Sequence, residues 1–171
     1  NQPIDENRLL TGDLEETNQW YAIAKISGVK LIEALRNEYR KDYIALMPTN
    51  LYGPGDNYDL NTSHVLPAMI RKFHEAKQNN SDVTIWGTGT PLREFLHVDD
   101  LANAVLFCLI NEMEDSLYNV GSGQELTILE LANLVSKTVG FNGNILLDRT
   151  KPDGTPRKLL NSNKIMEKGF K

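Results

Sequence analysis

NQWYAIAKISGVKLIEALRNEYRKDYIALMPTNLYGPGD, residues 18–56, holds the two patterns that decide the fold. From Asn18 to Tyr39 the apolar positions Ala22, Ile26, Val29, Ile32, Ala34 and Leu35 fall mostly on one stripe, which predicts an amphipathic helix. Tyr43–Met47 is a short apolar run ended by Pro48, the mark of a buried strand. Leu51–Tyr58, with Gly53, Pro54 and Gly55, reads as a turn-rich loop at that strand's C-terminal end.

The alternation continues outward. A helix is expected over about Ser63–Gln78 with Ser63 as N-cap, then a strand at Val83–Trp86. Phe95–Val98 reads as a strand, and Asp99 or Asp100 as the cap of a helix reaching about Asn111. Leu117–Val120 is strand-like and closes on Gly121-Ser122-Gly123. Thr127-x-x-Glu130 has the spacing of a capping box and opens a helix to about Val139. A strand follows at Asn144–Asp148, then a loop and a short terminal helix. Residues 1–18 carry Pro3, Gly12 and several acids without a period, and read as an extended loop. Helices alternating with short apolar strands give an α/β chain. Both ends look cut, which fits a fragment and equally fits a small α/β domain with irregular ends.

A net charge of -5 over 171 residues argues against a general nucleic-acid binder. No apolar run approaches the length of a membrane span, and the polar opening Asn1-Gln2-Pro3-Ile4-Asp5 carries no signal peptide. One cysteine, Cys108, excludes an intrachain disulfide and fits a reducing compartment, so a cytoplasmic location is expected.

Tyr21 and Lys25 stand four apart on the first helix, hence on one face. A cation beside a phenol lowers its pKa and suits it to proton transfer, although such pairs also arise in many chains without function. His64 sits near a helix start and reads either as a polar cap or as an acid/base. His74 reads as a solvated helix residue, His97 as a structural residue beside a strand, and Cys108 as a small buried hydrophobe. No His/Cys/Asp cluster has metal-ligand spacing, so no metal is expected. Gly121-x-Gly123 lacks the third glycine of a dinucleotide fingerprint.

Four ordered stretches carry a resemblance: Tyr21-x3-Lys25, Pro48-Thr-Asn-Leu-Tyr-Gly-Pro-Gly-Asp56, Arg93-Glu-Phe-Leu-His-Val-Asp-Asp-Leu-Ala102 and Tyr118-Asn-Val-Gly-Ser-Gly123. Together they resemble the extended short-chain dehydrogenase/reductases. Pro48–Pro54, Ser63-His64-Val65, Trp86–Phe95 and Lys151-Pro-Asp-Gly-Thr-Pro-Arg-Lys158 are similar, within that superfamily, to the GDP-L-fucose synthases.

The resemblance implies the C-terminal part of a Rossmann-like doubly wound sheet plus a smaller α/β substrate-binding domain. Residues 1–57, continued by about 94–122, would belong to the NADP-binding domain. Residues 58–93 and 123–171 would bind a GDP-sugar. The implied activity is epimerisation at C3 and C5 and NADPH-dependent reduction at C4 of GDP-4-keto-6-deoxy-D-mannose. Tyr21 resembles the proton donor to the C4 oxygen, and Lys25 the residue that holds the nicotinamide ribose. Pro48, Thr49, Asn50 and Leu51 match a stretch touching the cofactor. His64 matches an acid/base histidine that also lies beside the cofactor. Lys72, Trp86, Arg93, Asp153 and Lys158 match positions that contact the GDP-sugar. A homodimer through the Tyr21–Tyr39 helix is implied as well. The family's Gly-rich phosphate loop, catalytic serine and catalytic cysteine do not occur here, which implies that about the first third of the family's length is missing. The alternatives are a 4-epimerase or dehydratase of the same superfamily, or a non-catalytic sugar-nucleotide-binding domain.

Overall fold

The computed structural model describes residues 2–171. Two short 3-10 turns, Glu6–Arg8 and Glu16–Asn18, replace the extended loop expected at the start. The second closes locally because the Glu15 carboxylate accepts the amide and hydroxyl of Thr17, a short-range contact that leaves no period in the sequence. Helix α1 follows over Gln19–Tyr39 and ends on Arg40 in the left-handed conformation. Its half-buried stripe contains Ala22, Ile26, Val29, Ile32 and Leu35, while Ala34 is exposed.

Strand β1 (Ala45–Pro48) pairs in parallel with β5 (Leu117–Val120), Ala45 opposite Leu117. Part of the expected loop after β1 is a strand, β2 (Asn50–Tyr52), parallel to the far half of β4 (Leu92–His97). The near half of β4 is flanked by β6 (Glu125–Thr127, antiparallel) and β8 (Arg157–Lys158, parallel). Strand β3 (Val83–Trp86) pairs in parallel with β7 (Ile145–Asp148). The short strands β2, β6 and β8 lack a periodic signal because tertiary pairing, not propensity, makes them strands.

Helix α2 spans Val65–Asn79 with His64, not Ser63, at its N-cap position. Helix α3 spans Val98–Ile110, and its cap is the His97 imidazole, which accepts the Asp99 amide. Asp99 and Asp100 lie instead in the first turn, where negative charge suits the helix dipole. Helix α4 (Ile128–Val139) opens on the Thr127/Glu130 capping box and ends at Gly140. The last helix is α5 (Asn163–Glu167).

Two apolar cores result. The first gathers Leu66, Met69 and Phe73 of α2, Val83 and Ile85 of β3, Leu131 and Val135 of α4, and Phe141. The second gathers Leu96, Ala104, Cys108, Tyr118, Val120 and Ile165. Cys108 is thus buried, and burial pushes its thiol pKa up. Ile165 of α5 and the following Phe170 join this second core, so the 123–171 stretch contributes to both.

Candidate functional site

The inward period of α2 (Leu66, Met69, Phe73, Ala76) leaves Lys72 on a half-buried flank. In β3, Val83 and Ile85 point into the core, so Trp86 points outward and is 63% exposed. In β4, Glu94 is buried and its neighbour Arg93 is half-buried. These elements and the 149–156 loop enclose a cavity of about 330 Å³ whose lining includes Lys72, Trp86, Arg93 and Asp153. Four of the five expected sugar-nucleotide residues therefore share one cavity. The fifth, Lys158, stands opposite Arg93 in the β4–β8 register but is exposed and outside that lining.

The electrostatics favour an anion. The Lys72 ammonium lies 5.8 Å from the Trp86 ring centroid, and that of Lys151 lies 5.6 Å from it. Arg93 donates to the Leu92 carbonyl at 2.7 Å, and no carboxylate pairs with it among the described residues. Burial pulls its pKa below the ordinary guanidinium value. A desolvated cation without a counter-charge is costly unless an anion joins it. A fork of N–H donors in one cavity with the Lys72 ammonium and a flat ring can hold a diphosphate.

Asp153 is already engaged: its carboxylate accepts the Thr88 amide at 2.7 Å and the Thr88 hydroxyl at 2.8 Å. Gly87, at φ +79°, leaves room for that carboxylate, which a Cβ there would strike. Lys151 and Thr88 are the residues that sequence reasoning missed. Lys151 opens the same Lys151–Lys158 stretch that pointed to Asp153, so its charge was in view but not its direction. Nothing in the sequence pairs Thr88 with a residue 65 positions on.

The proton-transfer candidates lie elsewhere on the fold. Tyr21 and Lys25 meet on α1, the ammonium 5.4 Å from the phenol ring centroid, and both are exposed. Lys25 forms no ion pair among the described residues. His64 occupies the N-cap position, but its imidazole makes no capping hydrogen bond and is exposed, so the ring is available. Thr49, just after β1, and Asn50, the first residue of β2, both turn their side-chain donors to the Glu94 carbonyl, at 3.3 and 2.7 Å. Pro48 closes β1 and Leu51 packs on the second core.

A larger cleft of about 630 Å³ runs between α2 and α4, lined mainly by apolar side chains such as Ile70, Phe95, Leu126 and Leu134. It holds none of the expected site residues. The smaller cavity is the candidate ligand-binding site, because polar groups suited to orienting a ligand converge there.

A family model described as the NAD dependent epimerase/dehydratase family matches residues 1–121. The chain is 59% identical over 171 residues to the probable GDP-L-fucose synthase 1 of Oryza sativa subsp. japonica, covering 99% of this chain and 52% of that protein. It is 54% identical over 171 residues to the GDP-L-fucose synthase of Sinorhizobium fredii, covering 99% and 54%. A solved GDP-L-fucose synthetase from Naegleria fowleri bound to NADP superposes with a TM-score of 0.92 at 29% identity, over 100% of this chain and 56% of that one. The α/β fold of that Rossmann-like neighbour thus matches this chain along its whole length. The chain spans about half the length of the curated relatives it matches.

Proposed function

The chain belongs to the NAD dependent epimerase/dehydratase family, and from that premise we propose that it is part of a GDP-L-fucose synthase. The protein would invert C3 and C5 of GDP-4-keto-6-deoxy-D-mannose and reduce C4. The observation that carries this reading is the convergence of Lys72, Trp86 and Arg93 on one cavity, with Arg93 half-buried and without a carboxylate partner among the described residues.

The roles follow from chemistry. Arg93 grips the diphosphate through two N–H groups, while Lys72 adds a point charge and Trp86 a face for the nucleotide or sugar. The C4 carbonyl acidifies the protons at C3 and C5, so inversion needs a group that removes and returns them. His64, with an uncommitted imidazole, holds or moves that proton. Tyr21 protonates the C4 oxygen, helped by the Lys25 ammonium beside its ring. Lys25 and the main chain of Pro48–Leu51 would hold NADPH, which supplies the hydride to C4 when bound. Lys25 fits that task because its ammonium has no ion-pair partner among the described residues.

The cofactor half would comprise 1–57 and about 94–122, and the sugar half 58–93 and 123–171. A homodimer through α1 is part of the proposal, supported by the exposure of Trp20 (76%) and Leu31 (60%) on a helix with no buried residue. A cytoplasmic location is also proposed, supported by the lone cysteine. The test is to supply the full-length protein with NADPH and GDP-4-keto-6-deoxy-D-mannose and to follow NADPH absorbance and the sugar's proton spectrum. Fucose-configured product supports the reading, while NADPH oxidation without inversion reduces it to a generic 4-keto reductase.

A further inference from the structure

Glu94 is fully buried, and no cation pairs with its carboxylate among the described residues. Its Oε1 accepts the Gly123 amide at 2.7 Å, and its Oε2 accepts the Leu160 amide at 3.1 Å. Its main-chain carbonyl accepts Asn50 Nδ2 at 2.7 Å and Thr49 Oγ1 at 3.3 Å. Gly121 lies so close that a Cβ there would drive into the carboxylate.

These partners share one topological property. The chain passes between the two apolar cores at four places. The first is β2, where Leu51 packs on the second core and Tyr52 on the first, directly after Thr49 and Asn50. The second is β4 itself, where Phe95 packs on the first core and Leu96 in the second. The third is β5 to α4, through Gly121–Gly123, and the fourth is β8 to α5, through Leu160. Glu94 sits on one passage and is hydrogen-bonded to each of the other three.

We infer that Glu94 is a positioning residue that fixes the sugar-binding half against the cofactor half, resting on the reading of this protein as an epimerase-reductase. A buried carboxylate accepts amide N–H groups strongly because ionised acceptors make the stronger hydrogen bonds. Leaving the buried Leu160 amide unpaired is costly, so the carboxylate holds the third and fourth passages to β4, while the Glu94 main-chain carbonyl holds the first. That arrangement sets where the C4 carbonyl of a sugar held through its diphosphate by Arg93 stands relative to Tyr21 and Lys25. A misplacement of about 1 Å between reacting groups costs about 100-fold in rate.

The test uses the full-length protein with Glu94→Gln, which keeps the shape but turns an amide NH2 toward one of the two N–H groups. Gly121→Ala is the second variant. It pushes a methyl onto the carboxylate, removes no polar group, and covers the case in which Glu94→Gln does not fold. The expected signature is a kcat about 100-fold lower in Glu94→Gln, with a smaller fall in Gly121→Ala. NADP⁺ and GDP, each titrated alone by calorimetry, should bind as in the parent protein, because each is held within one half. Amide exchange at Gly123 and Leu160 should quicken. The distance distribution between spin labels at Gln78→Cys and Glu112→Cys should broaden.

Unchanged kcat with quickened exchange overturns the inference. So does joint loss of NADP⁺ and GDP binding, which would make Glu94 a residue of general stability. The label distances need no substrate. They judge the tie even if the parent protein proves not to reduce the keto-sugar, a failure of the function reading instead.

Discussion

Thr88 gives both its amide and its hydroxyl to the carboxylate of Asp153, closing the loop after β3 onto the loop after β7 beside the Trp86 ring. An aspartate that the sequence resemblance implied to contact the ligand is a clasp between two loops of the candidate site. The two roles separate in a double-mutant cycle. If Asp153 works through the clasp, Thr88→Val and Asp153→Ala should raise KM for the GDP-sugar by similar factors, and the double variant should cost no more than either alone. Steady-state kinetics on the three proteins measures this. Additive effects would mean that Asp153 touches the ligand independently of Thr88.

Arg93 should behave as a ground-state grip. Arg93→Ala is expected to raise KM about ten- to a hundred-fold, the loss of about 1.5–3 kcal/mol from a charge-assisted contact, with a far smaller change in kcat. Arg93→Lys should recover only part, since an ammonium cannot make the paired contact. Lys72→Ala and Lys151→Ala should each cost less than Arg93→Ala. An unchanged KM in Arg93→Ala removes the guanidinium from the site.

Tyr21 and His64 should separate reduction from inversion. Tyr21→Phe takes away the proton for the C4 oxygen, so NADPH oxidation should fall by about 10²–10⁴-fold. The sugar's acidified protons should still exchange with heavy water. His64→Gln should slow inversion instead, and any NADPH oxidised should leave sugar of unepimerised or half-epimerised configuration. Proton spectra in heavy water, run beside an absorbance trace, distinguish the two. Normal fucose-configured product from His64→Gln at the parent rate would return the histidine to a purely structural place at the start of α2.

Stability has a local handle at α4. The Thr127 hydroxyl accepts the Glu130 amide at 3.1 Å, and the Glu130 carboxylate accepts the Thr127 amide at 2.8 Å. Thr127→Ala should cost about 1 kcal/mol in denaturant unfolding. Phe73→Ala, which empties a fully buried site edge-on to Phe141 at 5.2 Å, should cost about 3–5 kcal/mol. A Phe73→Ala cost no larger than that of Thr127→Ala would mean the first core collapses around the gap.

The same capping box predicts a pH dependence. Hydrogen bonds from the Thr127 amide and hydroxyl hold the Glu130 carboxyl below its ordinary pKa. The unfolded chain then binds its proton first as the solution is acidified, so this contribution is complete above the ordinary glutamate value. It is lost as pH falls through the lowered folded value. Glu130→Gln should flatten the fall of Tm between about pH 5 and pH 3. An acid limb as steep as the parent's would show that other carboxylates set it.

Much of the architecture was legible in the chain because burial writes periods into sequence. The stripe on α1, the alternation Val83-Thr84-Ile85-Trp86 and the Thr127-x-x-Glu130 spacing each correspond to an observed helix, strand or cap. The short strands β2, β6 and β8 were not legible, since two or three residues carry no period and become strands only through their neighbours. The cap of α3 misled for a related reason. Asp99 has the better intrinsic capping chemistry, but β4 delivers the His97 ring to the helix end first.

The candidate site divides in the same way. Which residues bear charge, phenol or imidazole, and which motifs they stand in, was determined by the sequence alone, because chemical type and local spacing are properties of the chain. That Lys72, Trp86 and Arg93 line one cavity with the Lys151 ammonium near the Trp86 ring, that Asp153 spends its carboxylate on Thr88, and that Glu94 accepts the Gly123 and Leu160 amides was decided only by the tertiary structure. These contacts join residues tens of positions apart. Such pairs meet because the packing of two apolar cores brings their strands together, and a one-dimensional pattern does not encode that distance.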